Sequence, residues 1–502
     1  MSDDMEKTVK KVVILGGGTA GWMSAAMIRK LIGSAADIEL VESEEIGTVG
    51  VGEATIPPIK LFNSVLGINE ADFLRETKAT IKLAIKFENW RSEGESYYHT
   101  FGAAGRSLAF CQFHHLLKRA NQLEDDKNLW QYDLNYLCAE AGKFAKINSK
   151  DPIYDMPYAY HFDAGLYAAF LRKFSENLGV KRTEGKVNHV QQCKESGFIQ
   201  SLVLQNGAII EGDLFIDCSG FKGLLIQEKL ATGYDDWSHW LQCDRAIAVP
   251  SERFEKILPY TRSIAHAAGW QWRIPLQHRN GNGLVYSSSH YSDEQAQALL
   301  LGNLETKALA EPNFFRFKTG RRRKQWHKNV VAIGLSSGFL EPLESTSIHL
   351  IQSAIIRLVH LFPHQGINNA LVNEYNKQSK VEFEQIRDFL ILHYQVNQRS
   401  DSRFWHEMRT MDIPDSLAHK IEIFAGDGRL FREQNDLFQD SSWLQVMLGQ
   451  GIIPQDYHPI ANSVSETALM DMLSKVKAAK QEPIASLPSH DEFLQAVLKG
   501  AT

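Results

Sequence analysis

The sequence lacks the features that mark disulfide-rich, metal-stabilised and membrane-spanning chains. Its 502 residues include only five cysteines, none in a C-x-x-C pair, which is too few and too scattered for a disulfide framework or a zinc site. No apolar segment follows the first residues, and the most apolar helical stretch, residues 348–362, is interrupted by charged and polar side chains. We therefore expect a cytoplasmic chain with no membrane-spanning segment and no metal site.

The sequence also lacks a large excess of charge of either sign. Its formal net charge is -6, which argues against nucleic acid and anionic membranes as partners, so the expected ligand is small. Hydrophobic residues make up 44% of the chain and charged residues 23%, as in an ordinary globular protein. Because one hydrophobic core rarely serves more than about 300 residues, we expect two or three packed subregions.

A short apolar run leads directly into clustered glycines near the amino terminus. Residues 12–15 predict a buried parallel strand, and Gly16, Gly18 and Gly21 then match G-x-G-x-x-G. The first glycine makes a tight turn, the second admits a pyrophosphate, and the third lets helix and strand pack closely. A second apolar run ends at Glu42, about 20 residues past the motif, where a carboxylate can bind a ribose hydroxyl. This pattern predicts a FAD or NAD site; the alternative is a glycine-rich loop that binds no nucleotide.

The other patterns predict an α/β fold with an added helical region. Residues 202–210 form a hairpin signal, and residues 213–217 predict another buried strand. Residues 80–90 alternate between apolar and polar, which predicts a half-buried strand with its lysines on a solvated face. We predict a doubly wound (Rossmann-like) domain with an inserted mixed β-sheet substrate region within residues 1–380. A C-terminal helical subdomain is predicted at residues 381–502.

A second anion site is predicted at the start of a later helix. It follows a strand at residues 330–333 and a turn at Gly334, and apolar residues recur at helical spacing from Ile348. Unpaired backbone N–H groups and the positive end of the helix dipole favour an anion at residues 344–347 by about 0.3 to 2 kcal/mol. The basic run at residues 321–324 is interpreted as a solvated turn, with anion steering as the alternative.

Several strings of residues stand at intervals along the chain. They are GGGTAGW, GVGEATIP, KLAIKFENW at residues 82–90, GWQWRIP at residues 269–275 and EPLEST at residues 341–346. With these strings the chain resembles the flavin-dependent halogenases of the tryptophan halogenase type over residues 11–455. The resemblance implies a FAD-binding doubly wound domain, FAD used as FADH2, bromide or chloride as halide, and a small electron-rich aromatic substrate. It also implies a separate NAD(P)H-dependent flavin reductase as partner, and it leaves a homodimer open.

The resemblance further implies how the halogen is delivered. Reduced flavin and oxygen would form a C4a-hydroperoxide, halide would be oxidised to hypohalous acid, and this oxidant would reach Lys82. Lys82 would form a haloamine or hydrogen-bond the hypohalous acid, and Lys86 is left as a structural residue. Glu344 would orient the lysine or assist loss of the ring proton. Thr346 and Ser347 would bind halide through backbone amides, although tryptophan halogenases usually carry glycine where Ser347 stands.

The resemblance also assigns flavin contacts and a barrier between the flavin and the substrate. The loop after Glu42 would be a mobile strap over the flavin. The residues expected to bind FAD are Gly16, Gly18, Thr19, Ala20, Gly21, Glu42, Gly50, Val51, Gly52, Glu53, Ala54 and Gly334. The residues expected to prevent direct oxygen transfer to the substrate are Trp270, Trp272, Ile274 and Pro275. The alternative for these tryptophans is ordinary packing in a strand.

The substrate site is expected to hold its ligand by aromatic stacking. His99 and Phe101 match an H-x-F pair whose rings flank the indole in tryptophan-halogenating members, and Phe438 falls where those enzymes carry an indole-stacking tryptophan. Those enzymes also anchor the amino-acid carboxylate with a tyrosine pair, but no tyrosine occurs here between residues 394 and 457. We therefore expect a compact indole in preference to free tryptophan, unless Glu433 and the basic run at residues 321–324 have rebuilt the anchor.

Two other functions fit parts of the sequence. A single-component flavin-dependent aromatic hydroxylase would oxidise NAD(P)H by itself and need no halide, but it leaves GWQWRIP and Lys82 unexplained. A flavin-binding sensor or assembly partner would show no turnover with any reductase and halide.

Overall fold

The structure is a computed structural model that describes residues 8–45, 52–123 and 128–500. Its strands are, in chain order, β1 (Lys11–Leu15), β2 (Asp37–Glu42), β3 (Gly52–Ala54), β4 (Thr80–Lys82), β5 (Ala84–Glu88), β6 (Ser96–Thr100), β7 (Ala159–Asp163), β8 (Lys181–Glu184), β9 (Val187–Gln192), β10 (Ile199–Leu204), β11 (Ile209–Glu211), β12 (Leu214–Asp217), β13 (Tyr234–Asp236), β14 (Arg245–Ser251), β15 (Tyr260–His266), β16 (Gly269–Pro275), β17 (Asn280–Tyr286), β18 (Asn313–Arg316), β19 (Gly320–Arg322), β20 (Trp326–His327), β21 (Val330–Ala332) and β22 (Gly338–Phe339).

The α-helices are, in chain order, α1 (Thr19–Ile32), α2 (Pro58–Leu66), α3 (Glu70–Glu76), α4 (Phe113–Arg119), α5 (Leu134–Ala141), α6 (Ala164–Asn177), α7 (Asp293–Gly302), α8 (Ser347–His360), α9 (Asn369–Gln395), α10 (Arg403–Thr410), α11 (Asp415–Asp427), α12 (Asp440–Gly449), α13 (Glu466–Gln481) and α14 (His490–Leu498). The strands and helices are divided between two units, each assembled from three separate stretches of the chain. Unit 1 comprises Met1–Lys78, Phe162–His239 and Phe317–Glu384, and unit 2 comprises Ala79–His161, Trp240–Arg316 and Gln385–Thr502. The predicted division at residue 380 stays a prediction.

Unit 1 is built on a six-stranded sheet in the order β20-β21-β12-β1-β2-β8. All neighbouring pairs are parallel except β20 with β21. The chain leaves β1 for β2 on one side and later returns to β12 on the other side, so the strand order reverses at β1. In a doubly wound sheet, such a reversal opens a crevice at the carboxyl ends of the strands, where nucleotides bind. The predicted Rossmann-like domain and the hairpin of β10 and β11 are confirmed.

Unit 2 contains a seven-stranded mixed sheet in the order β18-β14-β17-β16-β15-β5-β6. Only β15 with β5 is a parallel pair among its described neighbours. The GWQWRIP string forms β16, near the middle of this sheet, and every residue of β16 and β17 is buried. The unit also contains α4, α5, α7 and the end of α9, and helices α10 to α14 form its C-terminal part. The predicted inserted sheet and the C-terminal helical region are therefore confirmed.

Two local predictions are wrong. Residues 80–90 are not one half-buried strand, because Leu83 interrupts the strand and separates β4 from β5. β4 pairs with β7, whereas β5 belongs to the seven-stranded sheet. Both faces of β4 are buried. The basic run at 321–324 is not a solvated turn throughout. Arg321 and Arg322 are 5% and 7% exposed, since Arg321 pairs with Asp235 at 2.7 Å and Arg322 donates to the carbonyl of Ser336 at 3.0 Å.

The described ranges contain neither a membrane-spanning helix nor a metal-binding cluster. No helix in them is long and apolar enough to cross a membrane. No group of three or more histidine, cysteine, aspartate or glutamate side chains there is placed to hold a metal ion. The cytoplasmic location stays a prediction.

An ion pair within unit 1 fixes α8 against the first part of α9. His349, Ser353 and Arg357 recur one helical turn apart on α8 and face the Glu382 carboxylate at 3.2, 2.9 and 2.6 Å. Burial alone would raise the pKa of Glu382. The hydrogen bond from His349 and the positive charge of Arg357 outweigh burial and lower this pKa to about 2. Helix α8, which directly follows the EPLEST segment, is anchored through this carboxylate.

Glu382→Gln should destabilise the protein at neutral pH and much less in acid. The folded-state pKa of about 2 lies below the ordinary value of 4.5, so the stabilisation is present above pH 4.5 and is lost as the pH falls toward 2. We expect a loss of about 3 kcal/mol at pH 7, measured by thermal unfolding at pH 7 and pH 3. Glu384→Gln is the control, because its pair with Lys380 is partly exposed and its loss should be near zero. Equal losses in the two variants would contradict this account.

Candidate active site

The glycine turn after β1 is shaped by close backbone contacts. Gly16 has a φ of +112°, and a Cβ atom there would overlap the carbonyl oxygen of Cys218, just past β12. A Cβ atom at Gly21, in the first turns of α1, would overlap the carbonyl oxygen of Gly16. Side chains are therefore excluded at both positions, and α1 begins directly at the strand ends.

The first turn of α1 presents backbone donors and no side-chain cap. Gly18 is the N-cap in an extended conformation, and the turn that starts at Thr19 contains no acidic residue. Glu42, at the end of β2, lies against Gly17, and Arg182 holds the Glu42 carboxylate at 2.6 Å. A pyrophosphate suits such a helix N-terminus, and a ribose hydroxyl suits the carboxylate. These residues fit the dinucleotide part of FAD, and Arg182 is a member that sequence reasoning missed.

The predicted strap is described only in its last part. Gly50 and Val51, two of the predicted flavin contacts, lie outside the described residues. The chain resumes with β3, Gly52–Ala54. Burial raises the pKa of the Glu53 carboxyl to about 8, so this group is largely protonated at neutral pH. A protonated Glu53 can donate a hydrogen bond and does not repel an anionic ligand.

The EPLEST segment turns sharply before α8. Pro342–Glu344 form a 3-10 turn, Ser345 takes a left-handed conformation with a φ of +59°, and Thr346 is the N-cap. The side chains of Glu344 and Thr346 are 1% and 0% exposed. In the part of the chain that the structure describes, the Thr346 hydroxyl has no hydrogen-bond partner. This buried hydroxyl and the backbone N–H groups that begin at Ser347 fit a small anion such as a halide.

Gly334 brings the strand before this segment close to α1. Its φ is +78°, and a Cβ atom there would lie 2.8 Å from the Cβ atom of Ala20. Helices α1 and α8 also contact each other. Both predicted anion sites are therefore parts of one packed group of elements in unit 1.

Lys82 is the last residue of β4 and is completely buried. Its Nζ atom lies 5.2 Å from the centre of the Phe101 ring, which is a cation–π geometry. Lys86 is only partly buried, and its Nζ atom lies 3.7 Å from the Glu140 carboxylate. Of the two lysines in the KLAIKF string, Lys82 is the one withdrawn from solvent beside an aromatic ring.

The residues predicted to separate flavin from substrate share one strand. All four are buried in β16: Trp270, Trp272, Ile274 and Pro275. The rings of Trp270 and Trp272 lie 6.1 Å apart, centre to centre. The carbonyl of Pro275 accepts a hydrogen bond from the Thr80 hydroxyl at 2.7 Å. Thr80 is two residues before Lys82, so the end of β16 is tied to the strand that carries the lysine.

The structure brings His99 and Phe438 together in an aromatic cluster. Their ring centres are 6.2 Å apart. Phe389 of α9 stacks on Phe438 at 3.8 Å and lies 5.7 Å from His99, and Trp443 meets Phe389 edge-on at 4.8 Å. Sequence reasoning missed Phe389, because its position in an apolar helical stretch is that of an ordinary core residue.

Glu433 is placed differently from the other predicted substrate contacts. It is exposed in the turn before Phe438, and its carbonyl accepts a hydrogen bond from the backbone N–H of Asp436 at 3.1 Å. Within the described ranges, no contact joins the Glu433 carboxylate to the cluster of His99 and Phe438. Its role as an anchor stays a prediction.

Comparisons with known proteins show which family the chain belongs to. The family model for tryptophan halogenase matches residues 11–466. The chain is 34% identical to the tryptophan 7-halogenase RebH of Lentzea aerocolonigenes over 531 residues, which cover 98% of this chain and 99% of the relative.

Two solved structures are also very similar. Xcc4156, a flavin-dependent halogenase from Xanthomonas campestris, has a TM-score of 0.95 and 48% identity and covers 98% of this chain and 99% of its own. BrvH, a flavin-dependent halogenase from Brevundimonas sp. BAL3, has a TM-score of 0.93 and 42% identity and covers 97% and 99%. These likenesses favour a halogenase over the hydroxylase alternative. Matched by a family model over most of its length and by relatives almost from end to end, the chain belongs to the tryptophan halogenase family, whose members are flavin-dependent enzymes that use FADH2 and a halide.

Proposed function

We propose that this enzyme installs bromide or chloride on a compact, electron-rich aromatic ring, an indole in preference to free tryptophan. The observation that carries the proposal is the complete burial of Lys82 beside the Phe101 ring, within the KLAIKF string. A lysine on an ordinary strand face would extend into water. A lysine withdrawn from solvent at this cost has a chemical use.

The residues of unit 1 are proposed to hold the cofactor and the halide. The turn at Gly16 and the N-terminus of α1 would bind the pyrophosphate of FAD, and Glu42 would bind its ribose. When bound and reduced by the separate flavin reductase on which this family depends, FAD supplies the electrons that activate oxygen for the oxidation of halide to hypohalous acid. Thr346 and Ser347 would hold the halide at the start of α8, by the hydroxyl and by backbone N–H groups.

Lys82 is proposed to control the halogen after it has been oxidised. In one form of the step, the neutral Nζ amine attacks the halogen of hypohalous acid, so that an N–halogen bond forms, the O–halogen bond breaks and water leaves. In the other form, the ammonium donates a hydrogen bond to the oxygen and polarises the O–halogen bond. A ring carbon of the substrate then takes the halogen, and Glu344 is the proposed base for loss of the ring proton.

Lys82→Met should abolish halogenation and leave the production of hypohalous acid intact. Methionine keeps the length of the side chain but has no amine. With a flavin reductase, FAD, NADH, oxygen and bromide, we expect at least about a 100-fold fall in haloindole measured by mass spectrometry. FAD binding should be unchanged. Lys86→Met is the matched control on the next strand and should keep most of the product; a Lys82→Met enzyme with substantial product would remove Lys82 from the mechanism.

Glu344→Gln should lower turnover with the fold unchanged. The amide is nearly the same size as the carboxylate but cannot take a proton, so we expect kcat to fall by about 100-fold or more. Steady-state rates and the melting temperature should be measured on the same sample. A variant that turns over at the wild-type rate would assign Glu344 a structural role.

The enzyme should prefer indole to tryptophan in direct competition. Stacking recognises the ring, and the carboxylate of tryptophan needs donors that this site is not predicted to have.

Phe438→Leu should raise the KM for indole by about 3- to 10-fold, because one aromatic contact contributes about 0.5 to 1.5 kcal/mol beyond burial. Phe431→Leu is the control, since Phe431 is 64% exposed. A clear preference for tryptophan would instead indicate a rebuilt anchor, with Glu433 as its first candidate.

A further inference from the structure

The strand that carries Lys82 is completed on its outer side by a histidine from the last helix. On its other side β4 pairs with β7, with Ile81 opposite Tyr160. The N–H groups of Ile81 and Leu83 point outward, and Leu83 donates to the carbonyl of Pro259 at 2.7 Å. Ile81 donates to Nε2 of His490 at 3.0 Å. The imidazole thus takes the place of an acceptor that a neighbouring strand would otherwise supply.

The contacts of His490 determine its protonation state. Its Nδ1 atom faces the carbonyl of Ile257 at 3.0 Å, and a carbonyl only accepts, so Nδ1 carries the hydrogen. Nε2 must then be the acceptor for the N–H group of Ile81. The ring is completely buried, which lowers its pKa to about 4. His490 is therefore neutral in one defined tautomer at working pH.

A second buried histidine holds the residue before Ile81. The Thr80 hydroxyl gives its only hydrogen to the carbonyl of Pro275 at 2.7 Å, so Nδ1 of His161 must donate to Thr80 at 3.0 Å. Nε2 of His161 then accepts from the Thr261 hydroxyl at 2.9 Å. Burial and the positive charge of Lys82 hold the pKa of His161 well below its ordinary value.

Lys82 is therefore the end of a three-residue strand whose other two residues are each held by a neutral imidazole. Thr80 and Lys82 are two residues apart, so their side chains leave the same face of the strand. The Thr80 link reaches the end of β16, and the Ile81 link reaches α14, more than 400 residues later in the chain.

We propose that His490 and His161 are positioning residues for Lys82, and that α14 contributes to halogenation because it carries His490. This inference rests on the proposed role of Lys82. Neither imidazole is a proton donor or acceptor for the substrate. Their task is to fix the backbone from which the lysine extends, because a displacement of about 1 Å at a reacting group can cost about 100-fold in rate.

The test compares His490→Phe, His490→Gln and a control. Phenylalanine keeps the ring but removes the acceptor, and glutamine offers an amide oxygen in place of Nε2. We expect His490→Phe to lower kcat for haloindole by about tenfold or more. The KM for indole should not fall. The amount of hypohalous acid released into solution, measured by trapping with monochlorodimedone, should not fall either. His490→Gln should recover most of the loss.

His114→Phe is the matched control. His114 is a buried histidine of the same unit, 1% exposed, and contacts the carbonyl of Gly428 through Nε2 at 2.6 Å. The His114→Phe variant should have a lower melting temperature but an unchanged ratio of haloindole to hypohalous acid. If His490→Phe and His114→Phe reduce product by the same factor, or if His490→Phe keeps the wild-type ratio, the positioning role is wrong.

Thr80→Val tests the His161 link and covers the case in which His490→Phe does not fold. Valine keeps the shape of threonine and removes the hydroxyl, so the same ratio should fall about threefold or more. A wild-type ratio of haloindole to hypohalous acid in Thr80→Val would overturn the proposal. A wild-type enzyme that releases hypohalous acid but halogenates none of the aromatic substrates would instead count against the proposed function.

Discussion

The complete burial of the Lys82 side chain is the constraint on which the arrangement of unit 2 depends. Withdrawing an ammonium from water costs several kcal/mol unless other groups compensate for the lost hydration. The Phe101 ring at 5.2 Å offsets part of that cost, by about 2 kcal/mol for a desolvated cation–π contact. Burial lowers the pKa of His161, and the positive charge of Lys82 lowers it further, so this ring stays neutral beside the lysine. The buried cation thus accounts for its aromatic neighbour and adds to the reasons why His161 is neutral.

Unit 1 contains two predicted anion sites, and both have the same electrostatic basis. A dinucleotide and a halide are both anions, and each predicted site is the N-terminus of a 14-residue helix, α1 for the pyrophosphate and α8 for the halide. Neither helix has a side-chain cap or an acidic residue in its first turn, so the backbone N–H groups keep their capacity for a ligand. The anchoring of α8 by Glu382 matters for this reason, because a helix dipole serves an anion only where the helix is held still.

The sequence allowed the elements with local signals to be predicted. β1 with its glycine turn and the start of α8 each depend on a few neighbouring residues, so the local pattern is enough to indicate the element. The environment of Lys82 could not be predicted in this way, because the alternation of residues 80–90 is that of a half-buried strand and the covering groups come from distant parts of the chain. The burial of Arg321 and Arg322 could not be predicted either, because the partners that cover them, Asp235 and the carbonyl of Ser336, belong to other segments of the chain. His490 contacts Ile81 across 409 positions, and no local pattern carries that information.

The basic residues near the aromatic cluster explain why stacking should dominate substrate choice. A carboxylate anchor needs a cation or a hydroxyl that is not already engaged. Lys420 lies 3.4 Å from the Asp436 carboxylate and 4.5 Å from the centre of the Trp443 ring. Arg432 donates to the carbonyl of Asp436 at 2.7 Å. Both cations therefore serve the turn that holds Phe438, and recruiting either one for a substrate would loosen that turn. Under the proposed function, such a site would discriminate by the shape and the π-face of the ring and would gain little from an amino-acid tail.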